Sequence, residues 1–252
     1  MLSIKNLKIR YFIYISYHGK NYCGWQIQKN GISVQQILNE KLSIVLKEEI
    51  QVTGCGRTDT GVHARNYVAH FDTSAKIKSP DDFIIKMNKF LPQDIVIHKM
   101  IQVQDDLHAR FDAKERTYRY YISTKKDPFR RETSWYYPTP LNLKLMNQAA
   151  AVLHEYTDFT SFSKLHTDVK TNNCKIKEAF WKQEGDMLIF EITADRFLRN
   201  MVRAIVGTLV EIGREKITLQ DFRKIIESKD RGQAGKSVPA EGLFLEGVGY
   251  EL

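Results

Sequence analysis

Tyr11-Phe12-Ile13-Tyr14-Ile15-Ser16-Tyr17 sets Tyr11, Ile13, Ile15 and Tyr17 on one face of an extended chain and Phe12 and Tyr14 on the other. Aromatic and β-branched residues on both faces predict a well-buried strand. His18 to Trp25 follows as turn chemistry with aromatic anchors. Ser33 with Gln36 three residues on then predicts a capping box, with Ile32 placed to staple onto Ile37, and Val34, Ile37, Leu38, Leu42, Val45 and Leu46 recur at helical spacing. Gln51-Val52-Thr53 and Asn66 to Phe71 read as strands. Ser79-Pro80-Asp81-Asp82 opens a second helix with Phe83, Ile84, Met87, Phe90 and Leu91 on its apolar side, ended by Pro92, and Ile95 to Ile101 is a further strand. Strand, helix, strand, strand, helix, strand is an α+β unit of split βαβ type.

The second half repeats that order without repeating the sequence. Asp112 to Thr124 predicts a strand with Tyr118, Tyr120 and Ile122 on one face and Arg119 and Tyr121 on the other. Lys125 to Pro140 is irregular and carries the exposed-looking pair Arg130-Arg131. Asn142 to Tyr156 predicts a helix, Thr157 to Asn173 a long surface connection, and Cys174–Gln183 with Asp186–Ala194 a hairpin around Glu184-Gly185. Arg196 to Gly213 reads as the most apolar helix, capped by Gly213, before a capped helix at Thr218 with Asp221 and a last strand from Glu241 to Tyr250. The fold class is α+β, two split-βαβ-like halves sharing a continuous sheet, with a boundary between 1–105 and 106–252.

The chain has 252 residues, 42% of them hydrophobic, which is enough for a sizeable core. Its net charge of +8 admits a polyanionic partner without selecting one. Cys23, Cys55 and Cys174 are odd in number, widely spaced and in no C-x-x-C pair. That excludes a disulfide framework and a thiolate zinc site, and it places the protein in a reducing cytoplasm. No run has the length of a signal peptide core or a bilayer span, so neither export nor membrane insertion is expected.

Gly54-Cys55-Gly56-Arg57-Thr58-Asp59-Thr60-Gly61-Val62-His63-Ala64-Arg65 concentrates three glycines, two arginines and one carboxylate between strands. Asp59 alone suits a turn, hydrogen-bonded to its own backbone. The density of polar groups suits a ligand-contacting loop that sets Asp59 beside Arg57, and a nucleophilic Asp59 would need a cationic partner. Arg196, Arg199 and Arg203 fall three and four apart on the apolar helix. The first two suit a solvated stripe or phosphate contact, whereas Arg203 lies deep enough in the apolar run to require pairing. Arg116-Thr117-Tyr118-Arg119-Tyr120-Tyr121 interleaves bases with rings, either as an ordinary half-exposed strand or as a platform on which a nucleobase stacks while arginines meet phosphates. Gly232 to Ser237 ends like a phosphate-binding loop but has Asp230 where that pattern requires Gly, and the seven histidines make no metal-ligand pattern.

Four motifs, in this order, resemble the tRNA pseudouridine synthase A family: Gly56 to Ala64, Phe111-Asp112-Ala113 with Arg116 to Tyr120, Phe197 to Arg203 with Ile205-Val206-Gly207, and Pro239 to Leu245. The resemblance spans nearly the whole chain. It implies the pseudouridine synthase fold, a largely antiparallel sheet with helices on one side and a central basic RNA-binding cleft. It also implies isomerisation of uridine to pseudouridine at positions 38, 39 and 40 of the tRNA anticodon stem-loop, by a homodimer, with base flipping and without metal or organic cofactor. By the same resemblance Asp59 is the nucleophile, Arg203 its basic partner, Tyr118 the tyrosine that stacks on uracil and assists proton removal, Arg57 the arginine that helps displace the nucleotide, and Leu245 the apolar residue beneath the base. The rival reading of the same residues is a non-catalytic RNA-binding protein.

Overall fold

The computed structural model describes residues 8–164 and 171–251. The chain forms two compact units: one runs to Ala113 and takes back the chain from Tyr250, the other is Lys114–Gly249. No helix among the described residues is long and apolar enough to cross a membrane.

The first unit contains β1 (Ile9–Tyr17), α1 (Val34–Leu46), β2 (Thr53–Gly54), β3 (His63–Thr73), α2 (Pro80–Phe90) and β4 (Ile95–Val103). Its strands lie in the order β4-β1-β3-β2, all antiparallel. The central place of β1 explains its doubly apolar sequence, since Tyr11, Phe12, Ile13 and Ile15 are all buried. Both helices start where their caps predict: Ser33 accepts the Gln36 N–H and Ser79 accepts the Asp82 N–H. Ile32, expected to staple onto Ile37, is exposed.

The second unit contains β5 (Glu115–Ser123), β6 (Trp135–Tyr136), α3 (Leu143–Val152), β7 (Ile176–Glu184), β8 (Met187–Ala194), α4 (Met201–Gly213), α5 (Leu219–Ser228) and β9 (Leu243–Gly249). Its antiparallel order is β9-β5-β8-β7, with the two-residue β6 added parallel to β5. Taken in chain order, the main strands of each unit stand as fourth, first, third, second. Each unit is therefore the split βαβ arrangement that the element order predicts.

One device recurs in both units. The Asn88 amide on α2 bonds both the N–H and the C=O of Ile97 in β4, each at 2.8 Å. The Asn147 amide on α3 likewise bonds the N–H and the C=O of Trp181 in β7, at 2.8 and 3.0 Å. In both cases a helix satisfies an outward-facing peptide of an edge strand, which would otherwise remain open to pairing with another chain.

The first part of the stretch from Thr157 to Asn173, up to Ser163, is not the surface connection that its polar residues suggest. Phe159 and Phe162 are fully buried, Phe162 lies 6.2 Å from Phe222 of α5, and the Ser161 hydroxyl donates to the Ile225 carbonyl at 2.6 Å. Two aromatic side chains bury more area than the intervening polar residues can hold at the surface. The remainder of that stretch, 165–170, lies outside the described residues.

His70 on β3 is buried, and its Nδ1 accepts the Ala109 N–H at 3.1 Å, which requires an unprotonated nitrogen. Burial, with Arg10 next in effect, pushes its pKa down to about 4. A base whose pKa is lower in the folded chain binds its proton more readily when unfolded. The stability is therefore complete above about pH 6.5 and declines as the pH falls towards 4, by up to about 3 kcal/mol from this group. Denaturant titrations at several pH values should show that decline, and His70→Asn, which keeps an acceptor for Ala109 but does not titrate, should flatten it.

Candidate active site

The Gly54–Arg65 stretch is shorter as a loop than its composition suggests, because Gly54 ends β2 and His63 begins β3. The free-running part is fastened at five of its eight residues. Cys55 N–H bonds the Val68 carbonyl at 2.8 Å, the Tyr67 hydroxyl donates to the Gly56 carbonyl at 2.5 Å, and Trp25 N–H bonds the Thr58 carbonyl at 3.3 Å. The Tyr17 hydroxyl meets Thr58 Oγ1 at 2.8 Å in a buried contact, and Val62 N–H closes a turn onto the Asp59 carbonyl at 3.1 Å. Beneath the loop Trp25 stacks on Tyr67 with ring centroids 4.1 Å apart, and Tyr17 lies 5.7 Å from Tyr67. Thr58 is thereby turned inward and buried, while Arg57 is exposed and Asp59 half-buried.

The 18–25 turn supports this loop in a way its sequence hides. Gly24 has φ +77°, and a Cβ there would sit 2.2 Å from the Thr58 carbonyl oxygen. Only glycine lets the two backbones approach so closely in that conformation. Gly19 N–H bonds His63 Nδ1 at 3.0 Å. With His70 and His108, whose Nδ1 accepts the Arg110 and Phe111 N–H groups, three histidines act as acceptors for backbone donors. Among the described residues no group of three or more His, Cys, Asp or Glu could hold a metal ion.

In the second unit the apolar helix starts five residues later than its sequence predicts. The Asp195 carboxylate accepts the N–H groups of both Lys175 and Arg196 at 2.7 Å, Arg116 donates to the Asp195 carbonyl at 2.8 Å, and Asn200 takes a left-handed φ of 66° immediately before Met201. Arg196 and Arg199 therefore precede α4, and the expected stripe of three arginines on one helical face does not exist. Gly213 is the last helical residue rather than a left-handed cap, and the positive φ falls at Glu215.

All of α4 is buried except Arg203 and Glu211. Arg203 Nε donates to the Val238 carbonyl at 2.7 Å, and Val238 N–H returns a bond to the Arg203 carbonyl at 3.2 Å. This partner belongs to the segment with the false phosphate-loop pattern, which is a strap across α4. Gly235 N–H bonds Thr208 Oγ1 at 2.9 Å, Arg231 ties Gly235 and Ser237 at 3.1 and 2.9 Å, and a Cβ on Gly207 would lie 1.9 Å from the Lys236 carbonyl oxygen. The Tyr120 hydroxyl donates to the next strap carbonyl, Pro239, at 2.8 Å.

Two residues along the same face of β5, Tyr118 is half-buried, meets Phe197 edge-on at 5.1 Å, and stands opposite the buried Leu245 of β9. Directly opposed strand residues share a face, so Tyr118 and Leu245 are neighbours. The arginines of this strand are engaged within the sheet: Arg119 pairs with Glu191 at 2.7 Å and Arg116 holds Asp195. Of the residues singled out in the sequence, Arg57 and Asp59 belong to the first unit and Tyr118, Arg203 and Leu245 to the second.

A sequence model of the family described as tRNA pseudouridine synthase matches residues 13–112 and 150–251. Asp59, Arg57, Arg203 and Leu245 fall within those stretches, and Tyr118 falls between them. Proteins named tRNA pseudouridine synthase A from Parabacteroides distasonis and Bacteroides fragilis are each 55% identical, covering 96% of this chain and 96% of their own. One from Clostridium acetobutylicum is 43% identical over 98% of this chain and 100% of its own.

Gly24→Ala tests the support of the Asp59 loop. The strained φ and the contact with Thr58 together should cost about 1–3 kcal/mol, read as a lower denaturation midpoint at unchanged slope. A variant as stable as the parent would show that the turn does not hold the loop.

Proposed function

The chain belongs to the tRNA pseudouridine synthase family, and from that premise we propose that it isomerises uridine to pseudouridine in tRNA, at positions 38, 39 and 40 of the anticodon stem-loop, acting as a cytoplasmic homodimer without a cofactor. What carries the reading is the match to named relatives over nearly the full length at 55% identity.

The family resemblance gives each residue a role in this chemistry. Isomerisation breaks the bond between the sugar and N1 of uracil, rejoins the base through C5, and moves one proton off that carbon, so atoms balance without any redox partner. A base within a stem is out of reach of a protein carboxylate and must be flipped, at a cost of a few kcal/mol. In this reading Arg57, exposed beside the loop, helps displace the nucleotide. Asp59 is the nucleophile, and its fastened loop supports the role because a reacting carboxylate gains from being fixed in place. Arg203 serves as its cationic partner, as the lone basic residue of a helix that is otherwise almost wholly covered. Tyr118 stacks on the uracil and assists removal of the C5 proton, and Leu245 packs beneath the base. The overall charge of +8 favours a polyanionic substrate and makes its binding sensitive to salt.

Incubating the protein with an unmodified tRNA transcript and assaying chemically for pseudouridine tests the proposal. Asp59→Asn should bind the transcript with parental affinity and form no detectable product; turnover in that variant would remove Asp59 from the nucleophile's role. Tyr118→Phe keeps the stacking ring but not the hydroxyl, and should lower kcat by roughly 10²–10⁴-fold with little change in Kd. Equal losses in kcat and affinity would mean that Tyr118 only binds.

A further inference from the structure

The β5–β6 connection presents an aromatic side chain that the fold does not use. Phe129 is 94% exposed, and Tyr136 at the end of the same connection is 47% exposed. In the sequence Phe129 is flanked by Lys125, Lys126, Arg130 and Arg131 against the carboxylates of Asp127 and Glu132, a net charge of +2 in eight residues. Both arginines and both lysines are exposed.

The segment is built rather than loose. Asp127 Oδ1 accepts the Phe129 N–H at 2.9 Å and its other oxygen pairs with Arg130 at 3.3 Å. Arg130 N–H bonds the Asp127 carbonyl, and the hydroxyl of the buried Ser134 donates to the Arg130 carbonyl at 2.9 Å. At the base, the Ser123 hydroxyl donates to the Lys125 carbonyl at 2.6 Å, and Tyr137 N–H returns to the Ser123 carbonyl at 2.8 Å. A scattered exposed phenylalanine is ordinary on a protein surface. Here the ring stands on a turn fixed by backbone bonds, with exposed cations before and after it in the chain, the combination by which proteins grip single-stranded nucleic acid: a π-face for a base, with positive charge for the backbone on either side.

We propose that residues 125–131 dock the RNA substrate away from the Asp59 loop, with an unpaired nucleobase stacked on Phe129 and flanking phosphates met by Lys126, Arg130 and Arg131. The proposal rests on the tRNA reading above. The segment falls between the two stretches that match the family, so that match does not supply this role. A second copy of the chain is the weaker occupant, because a two-fold contact would bring these like-charged segments together.

The experiment measures binding of a labelled, unmodified tRNA transcript to the full chain over a series of salt concentrations. Phe129→Ala removes an exposed side chain, so its melting temperature should match the parent's. Its Kd should weaken by about tenfold with an unchanged salt slope, as loss of one stacked base requires. Arg130→Gln with Arg131→Gln should flatten the plot of log Kd against log salt by close to two phosphates' worth, about 0.7 each for a single strand. Parental Kd and slope in both variants would overturn the proposal. So would a fall in oligomeric mass for Phe129→Ala by light scattering without loss of tRNA affinity, which would assign the ring to self-contact. A parent protein that binds tRNA but forms no pseudouridine would instead sink the catalytic reading and leave the docking result to be judged on its own.

Discussion

The contact on which the placement of the first unit's candidate loop depends is the buried meeting of the Tyr17 hydroxyl with Thr58 Oγ1. Tyr17 ends the central strand β1, so its position is set by the packing of the whole sheet, and through Thr58 that position is passed to the next residue in the chain, Asp59. A loop of small residues has no core of its own to fix it. Here its carbonyls at Gly56 and Thr58 are bonded to Tyr67 and Trp25, and those two rings stack on one another. The carboxylate thus rests on a rigid aromatic floor although its own segment is neither helix nor extended strand. For the proposed nucleophile, being fixed before the substrate arrives removes an entropic cost from the reaction itself.

The second unit reaches the same end by a different route. Arg203 lies on a helix, the stiffest support available, and its guanidinium is aimed by the Val238 carbonyl of a strap held down across α4. The strap stays down because Gly207 lets the Lys236 carbonyl approach α4 and because Thr208 bonds Gly235. The resemblance to a phosphate loop is thereby explained: the glycine and small residues that pattern needs for a ligand are used here for helix-to-backbone contact. A sequence pattern of glycines reports close approach, and what approaches has to come from the fold.

Most of the architecture was legible in the sequence, for reasons that particular residues make plain. Caps such as Ser33, Ser79 and the reciprocal Thr218–Asp221 pair act within one turn of chain, so local sequence suffices to find them. The alternation in Tyr11–Tyr17 reports burial directly. The start of α4 was not legible, because Phe197-Leu198 continues the apolar pattern and the stop comes from Asp195 bonding Lys175, twenty residues away in sequence. The buried Phe159 and Phe162 were hidden by the polar residues around them. For the candidate site, the loop, the tyrosine strand and the arginine helix could be named from motifs. Their supports, Tyr17, Gly24, Tyr67 and the 230–239 strap, could not, since each acts on a residue far away in the chain.

Tyr118 and Tyr120 show how placement alone separates two identical side chains. They occupy the same face of β5, two residues apart, and in the sequence only the family resemblance, not composition or periodicity, separates them. Tyr120 is fully buried, its hydroxyl proton is committed to the Pro239 carbonyl, and burial raises its pKa far above the ordinary range. Burial and this bond both hold the proton on the hydroxyl, and the bond ties down the strap that carries Arg203's partner, Val238. Tyr118 sits two register steps closer to Gly249, opposite Leu245 rather than Leu243, and directly follows the bulge between Thr117 and Tyr118 that locally turns β5 against β9. It remains half-buried, with Phe197 at its edge and Leu245 beside it. A ring so placed can be reached by a ligand, which a fully covered one cannot. The strand therefore gives Tyr120 a supporting bond and leaves Tyr118 half-exposed, the placement that the proposed contact with uracil needs.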